Sequence, residues 1–145
     1  MVEKGNLPRV SDGPPTKLPL EATLDGTLGF EALELGEERV RGRVAVSDRI
    51  CQPYGLVHGG VYAALSESLV SRATFEAVAS DGMIAVGLSN DTSLLRPVTS
   101  GSVNAAGRRR HRGRTTWMWE VDLTDDNGRL CAVSRVTLAV RPRPG

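Results

Sequence analysis

The sequence predicts an α+β domain in which one antiparallel sheet of about six strands wraps a single long helix. Three observations lead there. Residues 60–79 are dense in Ala, Leu, Glu, Ser and Arg, with neither Gly nor Pro in the interior, which is the composition of a helix. Val61, Tyr62, Ala64, Leu65, Leu69, Val70, Ala73 and Val78 make that helix apolar over much of its circumference, so it must be buried on most sides. The surrounding segments read as β-prone runs between turns, and only a sheet that curls around the helix can cover it.

Taken in order, residues 1–19 read as a flexible tail. Pro8, Gly13, Pro14, Pro15 and Pro19 interrupt every candidate element there. Residues 20–145 form one domain. Leu28, Phe30, Ala32 and Leu35 give a loosely alternating run. Gly36-Glu37-Glu38 reads as a hairpin turn. Val40, Val44 and Val46 then alternate with Arg39, Arg41, Arg43 and Ala45 in the period of a half-buried strand. Ser47 to Gly60 is a loop by composition, and the long helix follows, ending at Ser80-Asp81-Gly82. Strands are predicted for Met83 to Leu95, Val103 to Arg112, Thr115 to Leu123 and Leu130 to Val140. Arg96-Pro97 ends the first of these and Arg141-Pro142-Arg143-Pro144 the last. Asp125-Asp126-Asn127-Gly128 is the clearest hairpin turn, with Asn-Gly supplying positive φ angles. Trp117 and Trp119 share one strand face and read as packing residues.

Composition excludes several function classes. A chain of 145 residues is one domain. Eighteen Lys+Arg against seventeen Asp+Glu, a formal charge of +1, argue against a dedicated nucleic-acid protein. Cys51 and Cys131 are too few for a disulfide framework and read as reduced thiols of a cytoplasmic protein. No apolar run reaches the ~18 residues of a membrane span, and Met1 to Asn6 lacks a signal-peptide core. The His and Cys spacing makes no zinc site, so no metal is expected. Gly87-Leu88-Ser89-Asn90-Asp91 breaks the nucleophile-elbow pattern at its last position, and no Walker A sequence is present.

The chemistry concentrates in Leu56-Val57-His58-Gly59-Gly60 and in Glu67. Paired glycines let a backbone approach a ligand closely or adopt unusual φ angles. They stand where the helix begins, where free N–H groups and the helix dipole favour negative charge. Such a terminus polarises a carbonyl that is becoming an oxyanion. Glu67 lies about two turns into the helix, with Ser71 a further turn along the same face. On residue chemistry alone Glu67 is either a surface acid beside Ser66 and Ser68 or a partly desolvated carboxylate acting as base or nucleophile.

Val57-His58-Gly59-Gly60-Val61-Tyr62-Ala63-Ala64-Leu65-Ser66-Glu67 resembles the signature of hotdog-fold acyl-CoA thioesterases. It is most similar to the branch holding the glutamate-type 4-hydroxybenzoyl-CoA thioesterase and the phenylacetate-pathway thioesterases. Thr23 to Thr27, Ser93 to Val98, Thr115-Thr116-Trp117 and Asp126 to Ser134 extend the likeness, which spans about residues 20 to 143. The resemblance implies hydrolysis of an acyl-CoA, aromatic for preference, by a catalytic Glu67. The Gly59 N–H would bind the thioester oxygen and Gln52 would orient it, while Ser71 would position water and His58 would line the site. It also implies a homodimer with shared sites, assembling further into a tetramer. No cofactor is needed, since coenzyme A is part of the substrate. A non-aromatic acyl group, a non-catalytic acyl-CoA-binding module and a nucleic-acid binder are the competing readings.

Arg108-Arg109-Arg110-His111-Arg112-Gly113-Arg114 is the remaining feature. In a strand Arg108, Arg110, Arg112 and Arg114 would fall on one face, either as a solvated surface or as a surface for phosphates. By resemblance, Arg96, Thr115 and Thr116 would contact the CoA nucleotide, joined by Arg114, Arg143 and Gly60. Arg72 stands beside Ser71 where the 4-hydroxybenzoyl enzyme has an acid, so the acyl group is less firmly implied than the reaction.

Overall fold

The computed structural model describes residues 18–145. The predicted tail therefore lies, but for its last two positions, outside the described residues. The elements are α1 (Leu24–Leu28), β1 (Phe30–Leu35), β2 (Arg39–Ala45), α2 (Gly59–Val78), β3 (Met83–Leu94), β4 (Ser102–Arg112), β5 (Thr116–Thr124) and β6 (Leu130–Pro142). The strands form one antiparallel six-stranded sheet in the order β1-β2-β4-β5-β6-β3. It curls around α2, as the all-round apolar character of that helix requires.

The core is the seam between α2 and the inner face of the sheet. Val61, Tyr62, Leu65, Leu69, Val70 and Ala73 of α2 are buried against Val40, Val44, Val103, Trp117, Trp119, Val121, Val136 and Leu138. In β2 the alternation is complete: Val40, Gly42 and Val44 face in, and the arginines face out. Gly42 is the close-approach point. A Cβ there would stand 2.7 Å from Leu69 Cδ2 and 2.8 Å from the Glu31 carbonyl oxygen.

Four expectations are corrected in detail. The alternating run that included Leu28 is split. Leu24–Leu28 is a helical turn, capped by the Thr23 hydroxyl and closed by Gly29 at φ 78°, and the strand begins only at Phe30. The last strand passes its predicted stop and reaches Pro142, which pairs with Met83. A terminal strand position tolerates proline, whose missing N–H costs nothing there. In the β5–β6 turn only Gly128 has positive φ, at 75°, and Asn127 does not. The Asp125 carboxylate closes that turn instead, accepting from the N–H groups of Asn127 and Arg129 and from Arg129 Nε. Finally, the arginine alternation breaks. A register shift between Arg109 and His111 interrupts β4, and Arg114 lies beyond the strand.

The hydrogen bonds at Asp125, the Arg129 N–H foremost, hold its carboxyl below the usual carboxylate range. A depressed native pKa means stability that is present above the unfolded value of ~3.9 and lost as pH falls through the still lower folded value. Asp125→Ala should therefore lower the melting temperature at pH 7. The gap from wild type should close in acid below that window, as read by thermal scans across pH.

Candidate active site

The His58-Gly59-Gly60 segment starts α2 one residue earlier than expected. His58 is the N-cap: extended in backbone, it accepts the Gly60 N–H at its Nδ1, 2.9 Å away. That acceptor role fixes the neutral tautomer with the proton on Nε2. Capping takes up the Gly60 N–H and leaves the Gly59 N–H with no acceptor among the described residues. Gly59 and Gly60 are not at positive φ, so the glycines supply space rather than unusual backbone. A Cβ on Gly59 would meet Leu94 Cδ1 at 2.5 Å.

Beside this donor lies a cavity of about 240 Å³ lined by Gln52, Leu56, Val57, Gly59, Tyr62, Leu94, Leu95, Arg96 and Pro97. Three of the residues singled out in the sequence, Gln52, Gly59 and Arg96, thus meet in one place. Gln52 is held at the base of a tight loop, its N–H donating to the Leu56 carbonyl and its own carbonyl accepting from Gly55. Burial pushes the Tyr62 phenol up, so this wall of the cavity is neutral at pH 7. Burial likewise raises the Cys131 thiol, and both cysteines are free thiols.

Glu67 is not in that cavity. It is half-buried on α2, eight residues beyond Gly59 and so ~12 Å along the axis. Its Oε1 lies over Gly87 of β3, where an added Cβ would stand 2.7 Å away. Ser71 is half-buried one turn on, and its hydroxyl has no hydrogen-bond partner among the described residues. Asp25 of α1 accepts from Ser68 at 2.7 Å and faces Arg72 at 3.8 Å, which ties α1 to the turn carrying Glu67.

The other anion-binding candidates separate. Arg96 follows β3 at the sheet end where Leu94 pairs with Ala132. Arg114, Thr115, Thr116 and Arg143 gather at the opposite end, where Thr116 pairs with Ala139 and the Arg143 N–H donates to Gly82. Arg109 and Arg112 stack over Trp117 at 4.9 and 5.0 Å and bond the Glu37 carbonyl and carboxylate. Arg110 pairs with Glu120. Much of the arginine run is therefore neutralised within the protein. A second groove, about 350 Å³, lies on the outer sheet face, and its Arg39, Arg41 and Arg108 are balanced by Glu34, Glu120 and Asp122.

A curled antiparallel sheet wrapped around one long central helix is the hotdog arrangement, the fold of a class of thioester hydrolases. The chain belongs to the Thioesterase superfamily, whose family model matches residues 54–132. It is 38% identical over 125 residues to the proofreading thioesterase EntH of Cronobacter turicensis, covering 83% of this chain and 90% of that one. A thioesterase of Haemophilus influenzae superposes with a TM-score of 0.81 at 34% identity, covering 87% of each chain. A thioesterase of Pseudomonas aeruginosa, solved as a glutamine-to-alanine variant, also gives 0.81 at 34% identity, over 85% of this chain and 88% of that one. No helix among the described residues is long and apolar enough to cross a membrane.

Proposed function

We propose that the protein hydrolyses an acyl-CoA thioester, aromatic in its acyl group, at a site shared by two copies of the chain. Glu67 is the base or nucleophile, and the Gly59 N–H and Gln52 hold the thioester oxygen. Ser71 orients water, and His58 caps the helix that presents the donor. A thiolate leaving group with a pKa near ~8.5 departs without a strong general acid, so one carboxylate and one oxyanion donor suffice.

The observation that carries this reading is the ~12 Å axial separation of Glu67 from Gly59 within one chain, combined with the edge strand that runs beside both. α2 runs antiparallel to β3, so that Gly59 lies by Leu94 and Glu67 by Gly87. β3 is an edge of the sheet and exposes Val86, Leu88 and Leu94, an unpaired row of the kind that invites another strand. A second copy paired antiparallel there, about a two-fold axis near Asn90 and Asp91, would bring Gly87 opposite the partner's Leu94. Glu67 would then face the partner subunit's Gly59. The same axis would bring Arg96 toward the partner's Arg114, Thr115 and Arg143, the groups proposed for the CoA phosphates. Two such dimers would form the tetramer.

A thiol-release assay over aromatic, aliphatic and hydroxylated acyl-CoAs tests the activity. Aryl-CoA esters should give the highest kcat/KM, and a flat or aliphatic-first profile would overturn the acyl assignment. In the same assay Arg96→Ala should raise KM several-fold more than it lowers kcat, because it removes binding made equally in ground and transition states. An unchanged KM would remove Arg96 from the nucleotide site.

A further inference from the structure

A ring of hydrogen-bonded side chains, closed through the backbone of α2 between Ala63 and Ser66, lies behind Glu67, between α2 and the strands β6 and β3. Ser66 and Ser134 are fully buried, and their hydroxyls are 3.0 Å apart. Thr92 Oγ1 is 2.8 Å from Ser134 Oγ and donates to Asn90 Oδ1 at 2.7 Å. Asn90 Nδ2 donates to the Ala63 carbonyl at 3.0 Å. Each hydroxyl has one proton, and the Asn90 carbonyl can only accept. The Thr92 and Ser134 protons therefore run one way, Ser134 to Thr92 and Thr92 to Asn90, and Asn90 donates back to the helix. Ser66 has one proton for two acceptors, Ser134 Oγ at 3.0 Å and the Tyr62 carbonyl at 2.9 Å.

The ring returns to a particular carbonyl. Ala63 is four residues before Glu67, so in an α-helix its oxygen already accepts the Glu67 N–H. Asn90 thus bonds the same carbonyl as the Glu67 amide. The strand touches this turn a second time at Gly87, under the Glu67 carboxylate. Gly87 and Asn90 are three apart, and a regular strand would turn them to opposite faces. The register shift between Gly87 and Ser89 puts both on the helix side, Gly87 opposite Leu138 and Asn90 opposite Val136. Bulges commonly re-aim side chains in this way beside active sites.

We propose that Asn90 is a positioning residue for the thioester hydrolysis, holding the helical turn that aims Glu67, with Thr92 fixing the orientation of its amide. The inference rests on the reading of Glu67 as the working carboxylate. Asn90→Leu keeps the branched shape and the number of heavy atoms and removes both amide bonds. It should lower kcat about tenfold, on the scale of a sub-ångström misplacement of a reacting group, with KM within about twofold. In a Glu67→Asp background, where the carboxylate is already displaced by a methylene, the same change should cost less than about twofold. Thr92→Val, nearly the same shape without the hydroxyl, should show the same pattern at about threefold and carries the test if Asn90→Leu does not fold. An unchanged kcat, or equal losses in both backgrounds, would overturn the proposal. A fully active Glu67→Ala would instead overturn the reading beneath it.

Discussion

Replacing Glu67 by alanine is expected to lower kcat by about 10²–10⁴-fold while CoA-ester binding stays nearly intact. In the proposed site the carboxylate is the working group and other residues hold the nucleotide, so the expected loss falls on chemistry rather than affinity. Binding is read by calorimetry with a non-hydrolysable CoA thioether, and turnover by thiol release. Sharing of the site gives this prediction a second arm. Gln52→Ala removes the group proposed to orient the oxyanion and is expected to cost ~10²-fold by itself. If each site draws Glu67 from one subunit and Gln52 from the other, a mixed dimer of the two variants contains one intact site. An equal mixture that exchanges subunits freely should then recover about a quarter of the wild-type rate, because half the dimers are mixed and each has one good site of two. No recovery despite exchange would place the site within one chain. An active monomer by light scattering would do the same. Full activity in Glu67→Ala would remove Glu67 from the mechanism.

The parts of the fold legible in sequence are those fixed by a local period. The Val-Arg alternation of β2 and the Gly-free run of α2 each state their burial directly, and both appear within a residue or two of their expected bounds. What was missed depends on partners distant in sequence. The bulges at Gly87/Ser89 and Arg109/His111 arise from register with β6 and β5, and no run of residues announces them. They decide that Asn90 faces the helix and that the arginine run does not form one face. The helical turn α1 was recoverable, since Thr23 before it and Gly29 after it are standard start and stop signals, but the alternation of Leu28 with Phe30 concealed it. Of the proposed site, the positions of Gly59 at the helix start and of Glu67 two turns on were readable because both lie in one contiguous stretch. The hydroxyl ring was not. Ser66, Asn90, Thr92 and Ser134 are separate polar letters until β3 and β6 are paired and laid over α2. The capping role of His58 was also hidden, although a polar residue immediately before a helix start is the usual sign of one.

The largest stability loss is expected at Trp119, at the centre of the seam. Its ring is fully buried, and its indole N–H donates to Thr74 Oγ1 of α2 at 3.1 Å. The Thr74 hydroxyl proton is already given to the Val70 carbonyl at 2.7 Å, so its lone pair is free for the indole. Trp119→Ala removes a large buried ring, at a cost of ~3–5 kcal/mol, a large share of the ~5–15 kcal/mol that holds a domain together. The melting temperature should fall by on the order of 10 °C. The polar part of the effect separates from the packing part by a cycle. Thr74→Val leaves the buried indole N–H without an acceptor, which should cost ~1–3 kcal/mol. Trp119→Phe removes the donor and part of the ring. The double variant should be destabilised by less than the sum of the two single changes, because no unpaired donor remains. Urea unfolding of the four proteins reads this directly, and strict additivity would show that the indole–hydroxyl bond contributes nothing. Thr74 lies about two turns beyond Glu67 on α2, so kcat per folded molecule should stay within about twofold of wild type in Thr74→Val. A core role is thereby distinguished from the Asn90 contact, whose loss is read in kcat.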